Sequence, residues 1–282
     1  GLSLLCWVIG GIITMLGGLC FAEMGAMLPK AGGMTVYLNT AFHPLLGFLN
    51  GFNSWLLSGA GSLAAGALAF SAIFGLTGTT GKLVASALMI AFTAYNMLGI
   101  KAGSMFQNFT MVAKLIPIAI IMISAFLMGD VSPDLAILPE GTSFDFSSFI
   151  RMTAFATLAT LWAYEGWINL NTVSEEMKNP KRNLPLSLII AIGGITLLYV
   201  LFNYAIYRVI PADEVRSLID SENFYLGTEV AKRLLGGFGG VIVIIGMTIS
   251  QLGSINGMAI AFPRTYYAMA AEGHFFKSFA KL

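Results

Sequence analysis

Seven apolar stretches, each near or above the length that crosses a bilayer, constrain this chain more than any other feature. A spanning helix needs about 20 mostly apolar residues. The stretches are Leu2 to Phe21, Leu45 to Phe74, Leu83 to Ile100, Met105 to Met128, Phe149 to Thr172, Leu186 to Tyr207 and Leu235 to Ala261. Only 10% of residues are charged and 57% are hydrophobic, whereas soluble domains carry about 25% charged residues. The chain therefore reads as an all-α membrane protein. Gly59, Gly61, Gly66, Pro117, Gly246, Gly253 and Gly257 lie inside the stretches. A helical bundle in lipid tolerates them because small residues let backbones approach closely.

The connecting segments read as loops: Pro29 to Gly33, Gly75 to Lys82, Gly129 to Ser148, Lys178 to Pro185 and Pro211 to Arg233. None has room for a soluble domain. A formal charge of +1 supplies no basic field for nucleic acid. The two cysteines, Cys6 and Cys20, share the first stretch without a CxxC or Cys/His cluster, so neither a disulfide framework, a metal site nor another cofactor is expected. The chain opens with Gly1 already in an apolar run, without a basic leader, and a natural N-terminus further upstream is expected.

Loop charge sets the expected orientation. If the first helix ends in the cytoplasm, the inside carries Lys30, Lys101, Lys178, Lys181, Arg182, Arg264, Lys277 and Lys281. The outside holds Lys82, Arg151, Arg208, Arg216, Lys232 and Arg233, offset by Asp213, Glu214, Asp220, Glu222 and Glu229. An Ile-Gly-Gly-Ile run at Ile9 to Ile12 recurs at Ile192 to Ile195, on spans that would cross in opposite directions. An inverted-topology repeat would produce that echo, and so would chance.

Two ionisable residues, Lys114 and Glu165, sit deep inside apolar stretches. A charge at the bilayer centre costs at least about 2.5–3.5 kcal/mol, so both are candidate site residues. Around Glu165 the sequence Trp162-Ala163-Tyr164-Glu165-Gly166-Trp167 places an acid and a glycine near mid-membrane. At about 1.5 Å per residue, Arg151 to Glu175 spans roughly 36 Å. A helix broken there frees carbonyls that coordinate an ammonium and amides that hold a carboxylate, and amino acids carry both groups. The competing reading is an unbroken helix with Gly166 packed against a neighbour.

The run from Trp162 to Asn171, followed by Glu175 to Pro185, resembles the sixth transmembrane segment and following loop of L-type amino-acid transporters. These belong to the amino acid, polyamine and organocation (APC) superfamily. Phe21 to Gly33 resembles that family's turn after its second helix, and Gly253 to Gly257 with Ala271 to His274 resembles its eighth helix and exit. The resemblance implies a partial five-plus-five inverted-repeat (LeuT-like) transporter fold whose seven spans correspond to helices two to eight of twelve. Residues 1–282 would then form a single transporter domain lacking the first helix and the last four.

On that resemblance the substrate-binding residues are Trp162, Ala163, Tyr164, Glu165, Gly166 and Asn169. Trp162 is the aromatic that closes over the substrate, and carbonyls from Trp162 to Glu165 take its amino group. An acid at Glu165 is similar to relatives that accept cationic as well as neutral amino acids. Lys114, in Val112 to Pro117, matches a fifth-helix lysine where sodium-coupled relatives hold an ion, which implies sodium-independent transport by a permease or antiporter. The family's animal members disulfide-bond a heavy chain through a cysteine after the third helix. Gly75 to Lys82 has no cysteine, so no such partner is expected; the partners implied are an amino acid and the lipid bilayer of a cell membrane, as in a stand-alone prokaryotic relative.

Thr248, Ser250, Ser254 and Asn256 read as hydrogen-bonding groups between helices or as site lining. His43 and His274 read as loop histidines. The Lys178 to Arg182 run reads as a solvated loop or as a latch to Glu23, Glu175 or Glu176. Other function classes are an intramembrane enzyme, for which no HExxH pair or Ser/His dyad is present, an ion channel, or a membrane scaffold without transport.

Overall fold

The computed structural model describes residues 1–133, 135–137, 145–221 and 225–280, and all their regular structure is helical. Glu222 and Lys281, counted above for orientation, lie outside the described residues, as do residues 134 and 138–144 of the Gly129 to Ser148 loop. The helices are α1 (Leu2–Met27), α2 (Met34–Ala41), α3 (Pro44–Asn53), α4 (Ala60–Ile73), α5 (Gly78–Asn96), α6 (Ile100–Met128), α7 (Phe146–Ala163), α8 (Pro180–Tyr207), α9 (Ala212–Asp220) and α10 (Leu226–Ala271). A π-helical turn, Ser54–Gly59, joins α3 to α4, and a 3₁₀ segment, Trp167–Glu176, follows α7.

Five of these are long and apolar enough to cross a membrane: α1, α3–α4 taken together, α6, α8 and α10. The two other expected spans form shorter helices. α5 has 19 residues and opens on the polar Gly78-Thr79-Thr80-Gly81-Lys82, and α7 stops after 18. α10 contains a kink at Gly236, whose φ of 59° and ψ of −142° interrupt the helix. A short helix, α9, occupies part of the Pro211 to Arg233 segment expected to be a loop, and another, α2, lies between the Pro29 to Gly33 loop and the second apolar stretch, where no element is expected.

The chain divides into two compact units. The first comprises Gly1–Leu19, Ile116–Trp167 and Ser187–Val243. Its core is Ile121 and Ala125 of α6, Ala205 and Ile206 of α8, and Val230, Ala231 and Ile242 of α10. The turn after α8 is tied to the end of α6, because Val131 N–H donates to the Arg208 carbonyl at 3.0 Å and the Arg208 guanidinium donates to the Gly129 carbonyl. Arg233 pairs with Glu214 of α9 and, at 3.0 Å, with Glu229 one turn earlier. Hydrogen bonding from Arg233, with its positive charge, holds the Glu214 carboxyl below the usual carboxylate range. In the same unit the Ile-Gly-Gly-Ile runs lie on α1 and α8. A Cβ on Gly11 would fall 2.3 Å from Thr196 Oγ1, and one on Gly18 would fall 2.8 Å from Ile192 Cδ1. The glycines are therefore what lets these two helices touch.

The second unit comprises Cys20–Leu115, Ile168–Leu186 and Ile244–Leu282. Ala67 of α4, Ala85 of α5 and Ile255 of α10 form a small apolar cluster with Leu63, Met89 and Phe92. Beside it Asn256, fully buried, accepts from Asn96 Nδ2 at 3.1 Å and donates to the Gly103 carbonyl at 3.0 Å and to Gln107 Oε1 at 2.9 Å. Polar groups away from water must pair, and here one asparagine joins α5, α6 and α10. His43 caps α3, its Nδ1 accepting the Leu45 N–H at 3.2 Å.

Candidate functional site

Asp145 starts α7: its carboxylate accepts the N–H groups of Ser147 and Ser148 at 3.3 and 2.9 Å, satisfying donors that a helix start leaves free. Hydrogen bonding from Ser148, side chain first and then backbone, holds this carboxyl below its ordinary range. At the other end the helix stops at Ala163. The N–H groups of Tyr164 and Glu165 turn back to the Leu161 and Trp162 carbonyls at 3.1 and 3.3 Å, tightening the last turn. Gly166 then takes φ +108°, a value that side chains with a Cβ rarely adopt. Nothing lies within 4 Å of where its Cβ would be. Gly166 is thus required by backbone conformation and not by a neighbour, which overturns the unbroken-helix reading.

Three aromatic rings of the first unit hold the break. Tyr164, only 6% exposed, donates its hydroxyl to the Trp7 carbonyl of α1 at 2.8 Å. Tyr199 of α8 donates to the Ala163 carbonyl at 2.6 Å. The rings of Trp7, Tyr164 and Tyr199 lie 4.9–6.2 Å apart, centroid to centroid, in tilted or edge-on pairs. Each such pair contributes about 0.5–1.5 kcal/mol beyond its buried area. Thr160 Oγ1, one turn before the break, lies 2.5 Å from the position a Cβ on Gly10 would take, so α1 presses directly on α7. Beyond the break, ring carbons of Trp167 would be 3.5 Å from a Cβ on Gly17.

The expected site residues of this unit are therefore brought together as one interrupted turn, but with different surroundings. Trp162 is 81% exposed and Glu165 is exposed, without a side-chain partner among the described residues. Tyr164 is committed to packing, and the Ala163 carbonyl already accepts one hydrogen bond. Chemically, the end of α7 is the negative end of a helix dipole beside an unpaired carboxylate, which suits a cation such as an ammonium.

Asn169 and Lys114 belong to the second unit. Asn169 is half-buried, and its carbonyl accepts from Thr172 Oγ1 at 2.7 Å. Around it the 3₁₀ segment is clamped by its own unit. Asn171, fully buried, accepts from Tyr37 Oη of α2 at 3.3 Å. Ser174 Oγ donates to the Lys30 carbonyl at 3.2 Å, and Glu175 accepts the Ala31 N–H at 3.0 Å. Gly25 of α1 has no room for a side chain there, since a Cβ would lie 2.3 Å from Leu184 Cδ2. Glu176 pairs with Arg264 of α10 at 2.8 Å. Lys178, Lys181 and Arg182 make no ion pair with Glu23, Glu175 or Glu176 among the described residues, so that latch is not formed. Lys114 is half-buried on α6, three residues before Pro117, and has no side-chain partner among the described residues.

The residues that sequence reasoning missed are Trp7, Tyr199 and Arg264. An aromatic inside an apolar helix carries no signal separating packing from support of a neighbour's carbonyl. In the sequence Arg264 shows only its charge, which bears on orientation and not on a partner.

All of residues 1–282 match the profile of the family described as Amino acid permease. The serine/threonine exchanger SteT of Bacillus subtilis is 32% identical over 273 residues, covering 95% of this chain and 60% of SteT. The b(0,+)-type amino acid transporter 1 of Homo sapiens is 32% identical over 292 residues, covering 98% of this chain and 57% of that protein. The cystine/glutamate transporter of Homo sapiens is 29% identical over 289 residues, with 97% and 55% covered. Five of the described helices are long and apolar enough to cross a membrane, as a match to this family requires. The chain belongs to the amino acid permease family of the APC superfamily. It spans between half and two thirds of the length of these relatives.

Proposed function

We propose that the protein is an amino-acid permease or exchanger working by alternating access, with the interruption of α7 recognising the substrate's ammonium group. The observation that carries this is the stop at Ala163 with Gly166 at φ +108°, beside exposed Trp162 and Glu165. The negative end of α7, through the carbonyls from Trp162 to Glu165, receives the ammonium, and Trp162 covers it. Asn169, a few residues further along the sequence, is a further candidate for contact with the substrate. The spans correspond to helices two to eight of a five-plus-five inverted-repeat fold, within a single transporter domain. Transport is sodium-independent, because the Lys114 ammonium supplies the positive charge that a sodium ion would bring. No cysteine lies between Gly75 and Lys82, which supports function without a disulfide-linked heavy chain.

Glu165 determines substrate charge: its carboxylate attracts a cationic side chain or takes up a proton with the substrate. Uptake of radiolabelled arginine and leucine into proteoliposomes tests this. Glu165→Gln is expected to lose the cationic substrate or to flatten the pH dependence. An unchanged substrate range and pH profile would remove the role. For Lys114, sodium-independent uptake by the unmodified protein and slowed turnover in Lys114→Ala are expected, and a strict sodium requirement would contradict the assignment.

A further inference from the structure

A cavity of about 680 Å³ lies within the second unit, between α3–α4, α5, the start of α6 and the last part of α10, and includes none of the residues assigned above to substrate binding. Its walls are mostly apolar, with Trp55, Leu63, Met97, Met258 and Phe262 among them. Into this lining the chain places one ion pair, Glu176 Oε1 to Arg264 Nε at 2.8 Å. Arg264 is buried there while Glu176 is exposed, and burying the guanidinium is unfavourable unless its donors are used. Arg264 spends a second nitrogen, Nη1, on the Ile260 carbonyl. Its Nη2 and the Glu176 Oε2 have no partner among the described residues.

The open groups are therefore one guanidinium donor and one carboxylate acceptor, side by side, in a space of the size that holds small organic ligands. An anion alone would meet Glu176 with like charge, and a cation alone would meet Arg264. A zwitterion matches both while leaving the pair's net charge at zero. The surrounding walls favour an apolar remainder.

We infer that this cavity is a second amino-acid subsite, taking the carboxylate of a zwitterion on Arg264, its ammonium on Glu176, and an apolar side chain against Trp55, Met258 and Phe262. The inference rests on the amino-acid transport reading for its choice of ligand but not on the α7 break for its chemistry.

Cysteine protection tests it. Thr93 lines the cavity and is exposed, and Cys20 is the exposed native thiol, so the probe is Thr93→Cys in a Cys20→Ser background. Labelling by a small thiol reagent is measured on reconstituted protein with L-leucine, with leucinamide, which lacks the carboxylate, and with 4-methylpentanoate, which lacks the ammonium. Leucine at ten times its dissociation constant is expected to slow labelling about tenfold, and the two analogues are expected to leave it unchanged. The protection persists in Gly166→Val, and in Glu176→Gln and Arg264→Lys it requires about tenfold more leucine or is lost. The analogue comparison needs no change to the ion pair, so it stands even where a charge variant misfolds. No protection by leucine, equal protection by either analogue, or loss of protection in Gly166→Val overturns the subsite. Leucine uptake is measured in parallel: uptake without protection defeats the subsite alone, and protection without uptake defeats the transport reading alone.

Discussion

Replacing Gly166 by alanine isolates the strain at the break from every packing effect. Nothing lies within 4 Å of the added Cβ, so the variant meets open space. What changes is the backbone: at φ +108° a residue with a Cβ is held in a sparsely populated region, at about 1–3 kcal/mol. Gly194 of α8 is the matched control, because its Cβ also meets open space while its backbone is helical. There the same substitution restricts the unfolded chain and favours the helix, by about 0.5–1 kcal/mol. The two variants, identical in chemistry, should shift stability in opposite directions, with a separation of roughly 1.5–4 kcal/mol. At a few degrees per kcal/mol for a chain of this size, thermal unfolding of the detergent-purified protein followed by circular dichroism resolves that separation. Equal shifts for Gly166→Ala and Gly194→Ala would show that α7 continues through Gly166.

Three further outcomes follow from the geometry. Tyr199→Phe removes the 2.6 Å hydrogen bond to the Ala163 carbonyl and is expected to lower stability by about 1 kcal/mol and to slow uptake, measured by thermal unfolding and proteoliposome flux. Asn256→Ala strips the hydrogen bonds joining α5, α6 and α10 and is expected to cost about 1–3 kcal/mol, given roughly 0.6 kcal/mol and at most about 1.7 for each bond between membrane helices. Asp145 has a folded-state pKa below the ordinary 3.8, so its stabilisation of α7 is complete above that value and is lost as pH falls through the lower folded one. In Asp145→Asn the acid-side decline in unfolding temperature should be shallower than in the unmodified protein.

The break was legible because an acid and a glycine inside an apolar run conflict with an uninterrupted helix, and that conflict is local. Its supports were not legible. Trp7, Tyr164 and Tyr199 are far apart in sequence, and only the packing of α1, α7 and α8 brings their rings within about 6 Å. Each of the seven apolar stretches holds a helix, but only five of those helices are long and apolar enough to cross a membrane, and hydropathy extended the fifth stretch to Thr172, past the stop at Ala163. Side-chain composition alone cannot reveal a positive φ. The same limit hid α2, whose eight residues are too few to show a period. The Gly-Gly echo at Gly10 and Gly193 carried only a hint of symmetry, whereas the structure gives Gly11 and Gly18 a direct use in seating α1 on α8. Asn256, read as either site lining or glue between helices, is glue.

The most direct test of the central claim is exchange of radiolabelled amino acid in proteoliposomes, comparing the unmodified protein with Gly166→Val and with empty liposomes. The account predicts saturable uptake that is accelerated by unlabelled amino acid inside the vesicle and abolished in Gly166→Val. Uptake that survives Gly166→Val at full rate, or a single-channel current in place of saturable exchange, would contradict it.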